Sequence, residues 1–406
     1  MPDGSPWPRI SIVTPSYNQA QFLEETIRSV LLQGYPDLEY IIIDGGSTDG
    51  SVAIIRQYES WLSYWVSEPD VGQSAAIAKG FSHVTGKYLT WLNSDDSYLP
   101  GAIACAASAF TMHPSAALVY GGCELFEEGG SRQIRVWQGA PSTVRALILG
   151  ENTIPQQAAF MRRTALEQAG GVDTTLHYVM DHELWTRLGR AGDLVHISDI
   201  LARFRFHPDS KTVSHSIEML IEWKKVIATS AWFGEAANEA ELDEADRRLE
   251  VRLAAERMLA EELPQSVAHL ESALSKQPCP FGTPDGVVQY MANYPGLSGQ
   301  SMTSERLASH FRRLQPATLT ANIRRLRSYA MANDHIEKAF QRHQIRDYVG
   351  VRRHLAIGLW RNPRWLMNKG VLWIGMESLV GEKLTMSARR VISALRYKRR
   401  SQDASS

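Results

Sequence analysis

Cysteine is scarce in this chain: Cys105, Cys123 and Cys279 are widely spaced and form no CxxC pair. That excludes a disulfide framework and a thiolate zinc site, and it fits a reducing compartment. Long apolar runs are missing as well. Residues 97–123 lack Asp, Glu, Lys and Arg, but Pro100, His113, Pro114 and Gly121–Gly122 divide them. The stretch therefore reads as a helix and a strand, not a membrane span. The opening MPDGSPWPR leads into no apolar segment with a small-residue cleavage site. The expected location is the cytoplasm, free or peripheral on the inner face of the membrane.

Net charge is almost absent, −1 overall, yet it is unevenly spread. Residues 301–406 hold 21 Lys and Arg against 7 Asp and Glu, a surplus of +14, and the preceding residues carry −15. A near-neutral enzyme with a basic end describes the chain better than the sum does. No nucleic-acid reading motif accompanies that charge, so nucleic acid is not an expected partner. Tryptophan lies beside arginine in residues 359–366, more aliphatic and aromatic residues follow in 371–374, and a polybasic run occupies 396–400. This pattern suits an anionic membrane surface, and equally a basic solvated face or a face packed on the rest of the chain.

The N-terminal half alternates strands and helices. Residues 10–14, 40–43, 64–67 and 88–92 are short β-branched or aromatic runs, with helical periodicity between them over 20–33, 47–58 and 73–84. This is an α/β pattern with a mostly parallel sheet. Past Gly121 the pattern loosens, with short helices at 140–150, 164–168 and 182–190, strands at 158–161, 195–197 and 201–206, and a helix over 217–232. Four segments result: a nucleotide-binding and catalytic domain over 1–234, a helical extension over 235–277, a proline-rich linker over 278–301 and a basic helical domain over 302–406.

The chemistry centres on YLTWLNSDD, an apolar strand ending in Asn93, Ser94, Asp95 and Asp96. Two adjacent carboxylates at a buried strand tip repel each other and resist desolvation, so they call for a cation. Mg2+ or Mn2+ is held in this way, with substrate phosphates completing its shell. The carboxyl edge of a parallel sheet is also where nucleotides bind. At the same edge, Thr14-Pro15-Ser16-Tyr17-Asn18 can face a base or ribose, or simply turn the chain with Asn18 as helix cap. Asp44, before Gly45–Gly46, can accept from a ribose hydroxyl or merely cap its turn. The GxGxxG of a dinucleotide fold is missing.

TPSYN, IIIDGGSTDGS, SEPDVGQS, WLNSDDSYLPGA and MDHELWTRL occur in that order. Together they resemble the family 2 glycosyltransferases of the GT-A fold, in the subgroup with NSDD in place of a DxD triplet. The resemblance spans residues 10–212. It implies that Pro15, Tyr17, Asn18 and Asp44 line the nucleotide pocket, that Glu68, Asp70 and Gly72 complete it, and that Asp95 and Asp96 hold the metal and donor diphosphate. Asn93 takes the place of the first acid of the triplet. The chain departs from the subgroup's usual pattern at Ala75 and Ala78, where an Asp and an Asn are customary, and it lacks the QxxRW motif of processive synthases.

Asp181 matches the acid that serves as general base in this family. Spacing sets Asp181, Leu184, Trp185 and Leu188 on one helical face, with Glu183 and Arg187 paired opposite. Its alternative reading is a helix cap. Gln156, Gln157, His182 and Trp185 are placed on the acceptor side. Arg205, His207 and Lys211, in a strand and the His-centred loop after it, can offset charge on the departing nucleotide or sit as solvated cations. The expected activity is inverting, metal-dependent transfer from a nucleoside diphosphate sugar to a hydroxyl of a glycan or lipid-linked glycan. The rivals are a non-catalytic sugar-nucleotide or glycan-binding module, a sugar nucleotidyltransferase, and a scaffold whose helical half recruits a partner.

Overall fold

The run ISIVTPS forms the central strand because β-branched side chains fit a pleat buried on both faces. Around it the chain builds β1 (Ile10–Ser16), α1 (Ala20–Leu31), β2 (Leu38–Asp44), α2 (Ser51–Gln57), β3 (Tyr64–Ser67), α3 (Gln73–Phe81), β4 (Tyr88–Trp91), β5 (Ser97–Tyr98) and α4 (Ala102–Met112). There follow β6 (Ala116–Glu127), β7 (Gln133–Trp137), α5 (Val144–Ile148), β8 (Ala159–Arg162), α6 (Arg163–Gln168), α7 (Met180–Ala191), β9 (Asp193–Phe206), α8 (Lys211–Ser214) and α9 (Ser216–Thr229). This computed structural model describes residues 1, 4, 6–127, 133–207, 210–229, 237–275, 277–296, 300–314 and 320–381. The turn expected at Pro208–Asp209, the end of the helix expected to reach Trp232, and the polybasic run 396–400 lie outside those residues.

The strands join one mixed sheet in the order β3-β2-β1-β4-β8-β6-β9-β5, with β7 paired to β6. The first four are parallel, and β8 runs antiparallel between β4 and β6. Register places Ser16 beside Asp44 and Asp44 beside Ser67, so the tips of β1, β2 and β3 end level with one another. Side chains alternate across the sheet. Ile10 and Ile12 pack with Leu23, Ile27 and Phe110 on one face, whereas Val13, Ile41 and Ile43 pack with Ile77, Leu184 and Trp185 on the other. The mixed sheet with flanking helices is the GT-A arrangement expected from the sequence.

The strands after α4 differ from the sequence reading in two respects. Gly121–Gly122 looked like a break, but both lie inside the twelve-residue β6. A Cβ on Gly121 would meet the Asp199 carbonyl at 2.4 Å, and one on Gly122 would meet Ile200 Cδ1 at 2.6 Å. The glycines let β9 approach at a register irregularity, so they mark close strand packing and not a turn. For the same reason the strands expected at 195–197 and 201–206 are one continuous strand, Asp193–Phe206.

Contacts divide the chain into two units, Met1–Leu249 and Glu250–Ser406, with the boundary inside α10 (Glu239–Leu259). The second unit continues through α11 (Leu263–Ser275), α12 (Pro284–Ala292), α13 (Ser304–Arg313), α14 (Ala321–Gln344), α15 (Tyr348–Arg361) and α16 (Lys369–Val380). It is helical, as expected. The stretch 278–301, read as a linker, instead carries α12. Thr283 caps that helix by accepting from the Gly286 N–H at 3.0 Å, Pro284 stands in its first turn, and Val287, Val288 and Met291 are fully buried in this unit's core. Pro284 therefore starts a helix; it does not keep the chain extended.

Candidate active site

At the carboxyl edge of β1–β4 lies a cavity of about 710 Å³. Pro15 and Tyr17 line one wall, Tyr17 with 63% of its surface exposed. Asn18 does not line it. Its backbone lies in the left-handed region (φ 51°), its N–H donates to Ser47 Oγ at 2.8 Å, and its Oδ1 accepts from the Thr48 N–H at 2.9 Å. Asn18 therefore ties the exit of β1 to the turn after β2 and caps no helix. The Ala20 N–H at the start of α1 instead donates to Asp49 Oδ2 at 2.8 Å.

Asp44 is fully buried and also stands behind the wall. Its carboxylate accepts from the N–H groups of Gly46 and Ser47 and from the hydroxyls of Ser47 and Ser67, all within 3.1 Å. Those bonds occupy both oxygens, so Asp44 organises the turn that presents Gly45 to the cavity. Asp70 and Gly72 also line the cavity, where the Gly72 N–H donates to Asp70 Oδ1 at 2.8 Å. A side chain on Gly45 would meet the Asp70 carboxylate at 2.9 Å, so the glycine is needed for that approach. Glu68 is directed elsewhere and pairs with Lys79.

The two adjacent acids have different positions. The Asp96 N–H donates to the Asn93 carbonyl at 3.1 Å, and that turn separates their side chains. Asp95 faces the cavity, with His207 Nε2 at 3.1 Å from its Oδ2. Asp96 is buried beneath the cavity, where Oδ1 accepts from the Arg205 N–H at 3.1 Å and the Thr26 hydroxyl lies 2.7 Å from its carbonyl oxygen. Burial, reinforced by the Asp95 charge, holds the Asp96 carboxyl well above the usual carboxylate range. Asn93 lines the cavity, donating to Gln156 Oε1 at 3.2 Å and accepting from Gln73 Nε2 at 2.7 Å.

Among the described residues no group of three His, Cys, Asp or Glu side chains converges as a metal cage. A single carboxylate beside an open cavity still fits Mg2+ or Mn2+, which keep water and take phosphate oxygens as ligands. Asp95 lines the cavity and could hold such an ion, whereas Asp96, expected to share it, is buried beneath the lining residue Asn93, whose Nδ2 lies 3.4 Å from Asp96 Oδ2.

Arg205 is likewise displaced from its expected role. Its side chain is buried, with Nε donating to the Asp95 carbonyl at 3.0 Å, one terminal nitrogen 2.6 Å from Glu25, and the guanidinium over Phe22 and Phe126. It braces the Asp95 loop from behind. Lys211 does reach the cavity, where Nζ donates to Gln73 Oε1 at 2.9 Å and to the His177 carbonyl at 3.2 Å.

Asp181 lines the same cavity from the first turn of α7. Its Oδ1 accepts from the His182 N–H at 2.7 Å. Burial pushes its carboxyl up to about 6, against the lowering effect of that hydrogen bond. Leu184, Trp185 and Leu188 are fully buried along its helical face, as the spacing predicted. The Glu183–Arg187 pair also forms, at 2.6 Å, but Glu183 is buried and not on a solvent face.

His182 and Trp185 leave the acceptor side. One residue along a helix turns about 100°, so His182 points away from Asp181, its Nε2 lying 2.8 Å from the Leu147 carbonyl and its ring stacked on Trp223. Trp185 is core, stacked on Trp91. Gln156 and Gln157 do line the cavity, in a short 3-10 turn before β8.

Gln73, His177, Tyr178 and Glu222 carry no signal in the sequence that singles them out. Gln73 bridges Asn93 to Lys211, while His177 and Tyr178 form the wall leading to Asp181. The Glu222 carboxylate on α9 accepts from three successive N–H groups, those of His177, Tyr178 and Val179, at 2.7–3.0 Å. No local pattern signals such a contact across more than forty positions. Glu222→Ala is expected to leave these amides without their acceptor, at a cost of about 1–3 kcal/mol. The denaturation midpoint should fall, and kcat should fall more than donor affinity because the loop sets the direction of Asp181. Initial rates and urea melts check both.

The family model described as Glycosyl transferase family 2 matches residues 11–170. An uncharacterized glycosyltransferase of Mycobacterium tuberculosis is 32% identical over 202 residues, covering 48% of this chain and 75% of the relative. One from Rickettsia typhi is 26% identical over 223 residues, covering 53% and 70%. Among solved structures, TarS of S. aureus (residues 1–349, in complex with UDP-GlcNAc) shares the fold at TM-score 0.50 and 16% identity, covering 80% of this chain and 91% of that one. The full TarS structure matches with TM-score 0.50 and 17% identity, but this chain spans 55% of it. On the 32% identity across three quarters of the mycobacterial relative, with the family match over the first four strands and the Asp95 loop, this chain belongs to glycosyl transferase family 2 and is a glycosyltransferase.

Proposed function

We propose that the enzyme transfers a sugar, with inversion, from a nucleoside diphosphate sugar to a hydroxyl of a glycan or lipid-linked glycan, using Mg2+ or Mn2+, and that it belongs to the NSDD subgroup. The observation that carries this is the presence of Asp95 and Asp181 in the walls of one cavity, on separate elements. Pro15 and Tyr17 receive the base and ribose, Asp70 and Gly72 close that end, and Asn93 with Gln73 faces the donor. A metal held by Asp95 would neutralise charge on the leaving diphosphate. His207 and Lys211 add positive or donor character beside it.

Asp181 accepts the proton of the attacking hydroxyl as its oxygen bonds to the anomeric carbon and the nucleoside diphosphate departs from the opposite side. Its raised carboxyl suits that task, because a base near 6 is ionised at neutral pH yet more basic than an exposed aspartate. Gln156 and Gln157 offer amides to acceptor hydroxyls.

The test is a thermal-shift screen of UDP-, GDP-, dTDP- and CMP-sugars with and without Mn2+, followed by product analysis with the stabilising donor. One nucleotide class should stabilise the protein in a metal-dependent manner, and the donor should be turned over with inversion at the anomeric carbon. Absence of both transfer and slow donor hydrolysis across the panel would remove this reading.

A further inference from the structure

The last described helix of the second unit is apolar on two sides. In α16, Val371 and Ile374 pack into a core with Ile336, Val351 and Leu355. Leu372, Met376 and Leu379 stand one helical turn apart on another side and remain exposed, Leu379 by 73%. The preceding 3-10 turn adds Met367, 86% exposed, and the end of α15 adds Trp360, 79% exposed. A helix in water normally turns polar residues outward, so a row of exposed apolar side chains one turn apart calls for a covering surface.

The charge carried by this segment is mostly of one sign, although Asp285 on α12 accepts from the Asn362 side chain at 3.0 Å and faces Arg364. From Tyr348 to Gly381 the cations are Arg352, Arg353, Arg361, Arg364 and Lys369, and the lone acid is Glu377. Glu377 is buried and lies 3.1 Å from His343 Nε2, so it adds no negative charge outside. Residues 382–406 continue the trend in sequence, with seven Lys and Arg against two acids. Charge decides the occupant. That basic segment, or a second copy of the same face, would bring cations against cations, whereas an anionic lipid surface complements them.

Length decides the mode. The twelve residues of α16 span about 18 Å, short of the roughly 30 Å hydrocarbon layer. No helix among the described residues is long and apolar enough to cross a membrane. We propose that this face lies on an anionic membrane, with Leu372, Met376 and Leu379 entering the headgroup boundary and Arg364 and Lys369 meeting lipid phosphates. The inference stands apart from the sugar-transfer chemistry and does not depend on it.

Vesicle flotation of the full chain tests it. The protein should float with phosphatidylcholine vesicles containing about one third phosphatidylglycerol and remain behind with pure phosphatidylcholine, and higher salt should weaken the association. The triple variant Leu372→Gln, Met376→Gln, Leu379→Gln should bind at least about tenfold more weakly. Arg364→Gln with Lys369→Gln should reduce the preference for anionic lipid. If the triple variant does not fold by circular dichroism, quenching of wild-type tryptophan fluorescence by brominated lipid decides, and it should diminish in Trp360→Phe. Absence of flotation at low salt, undiminished binding by a folded triple variant, or no quenching each overturns the proposal. So does a wild-type dimer that the triple substitution dissolves without any lipid binding, which would assign the face to a second copy.

Discussion

Asp181→Asn is expected to lose sugar transfer while making the protein more stable at pH 8. Removing a positioned general base costs about 10²–10⁴ in rate. Asparagine keeps the shape and an oxygen able to accept from the His182 N–H, so donor binding should persist. The stability gain follows from linkage. Burial raises the folded carboxyl from 3.8 to about 6, so between those values the native state holds a proton that the unfolded chain has released. Stability therefore falls as pH rises through that window and stays reduced above it.

By about 1.4 kcal/mol per unit, the cost at pH 8 is on the order of 3 kcal/mol, and asparagine does not incur it. Melting temperatures of variant and wild type should coincide near pH 4 and diverge by several degrees at pH 8. The wild-type rate should also decline below about pH 6, because protonated Asp181 cannot accept the hydroxyl proton. Near-normal transfer by the variant would dismiss Asp181 as base. Equal melting temperatures at pH 8 would show that its carboxylate is not held at a cost.

The α/β core was legible because its signals are local. The runs ISIVT, YIIID and YLTW have the β-branched and aromatic character of buried strands, and Gly45, Gly46 and Gly72 mark their turns. Asp95 and Asp181, far apart in sequence, do meet in one cavity. What sequence could not supply was direction. Asp95 and Asp96 are identical in chemistry, and only the turn closed by the Asp96 N–H on the Asn93 carbonyl sends one outward and the other inward. Asp181 and Trp185 share a helical face, yet only the first turn of that helix reaches the cavity before the face enters the core. Glycine carried a similar ambiguity: Gly121 and Gly122 look like turn residues until β9 is seen against them.

The difference between the two adjacent carboxylates yields the second large effect. Asp95→Asn should reduce kcat/KM by about 10²–10³, the range for losing one preorganised electrostatic group at a reacting centre. It should also remove the metal-dependent part of the donor's thermal stabilisation, since Asp95 faces the cavity and its neighbour does not. Asp96→Asn should retain most of that stabilisation. An asparagine oxygen can still accept from the Arg205 N–H that Asp96 Oδ1 engages at 3.1 Å, although its amide nitrogen would face the Asn93 Nδ2 that lies 3.4 Å from Asp96 Oδ2. Its activity loss should be about tenfold or less, arising through small shifts of the Asp95 loop rather than loss of a ligand. Donor thermal shifts with and without Mn2+, measured on both variants beside wild type, separate the roles. If Asp96→Asn abolishes the metal-dependent shift and Asp95→Asn keeps it, the inner carboxylate must turn into the cavity when donor arrives, and the metal belongs to Asp96 while Asp95 only supports it.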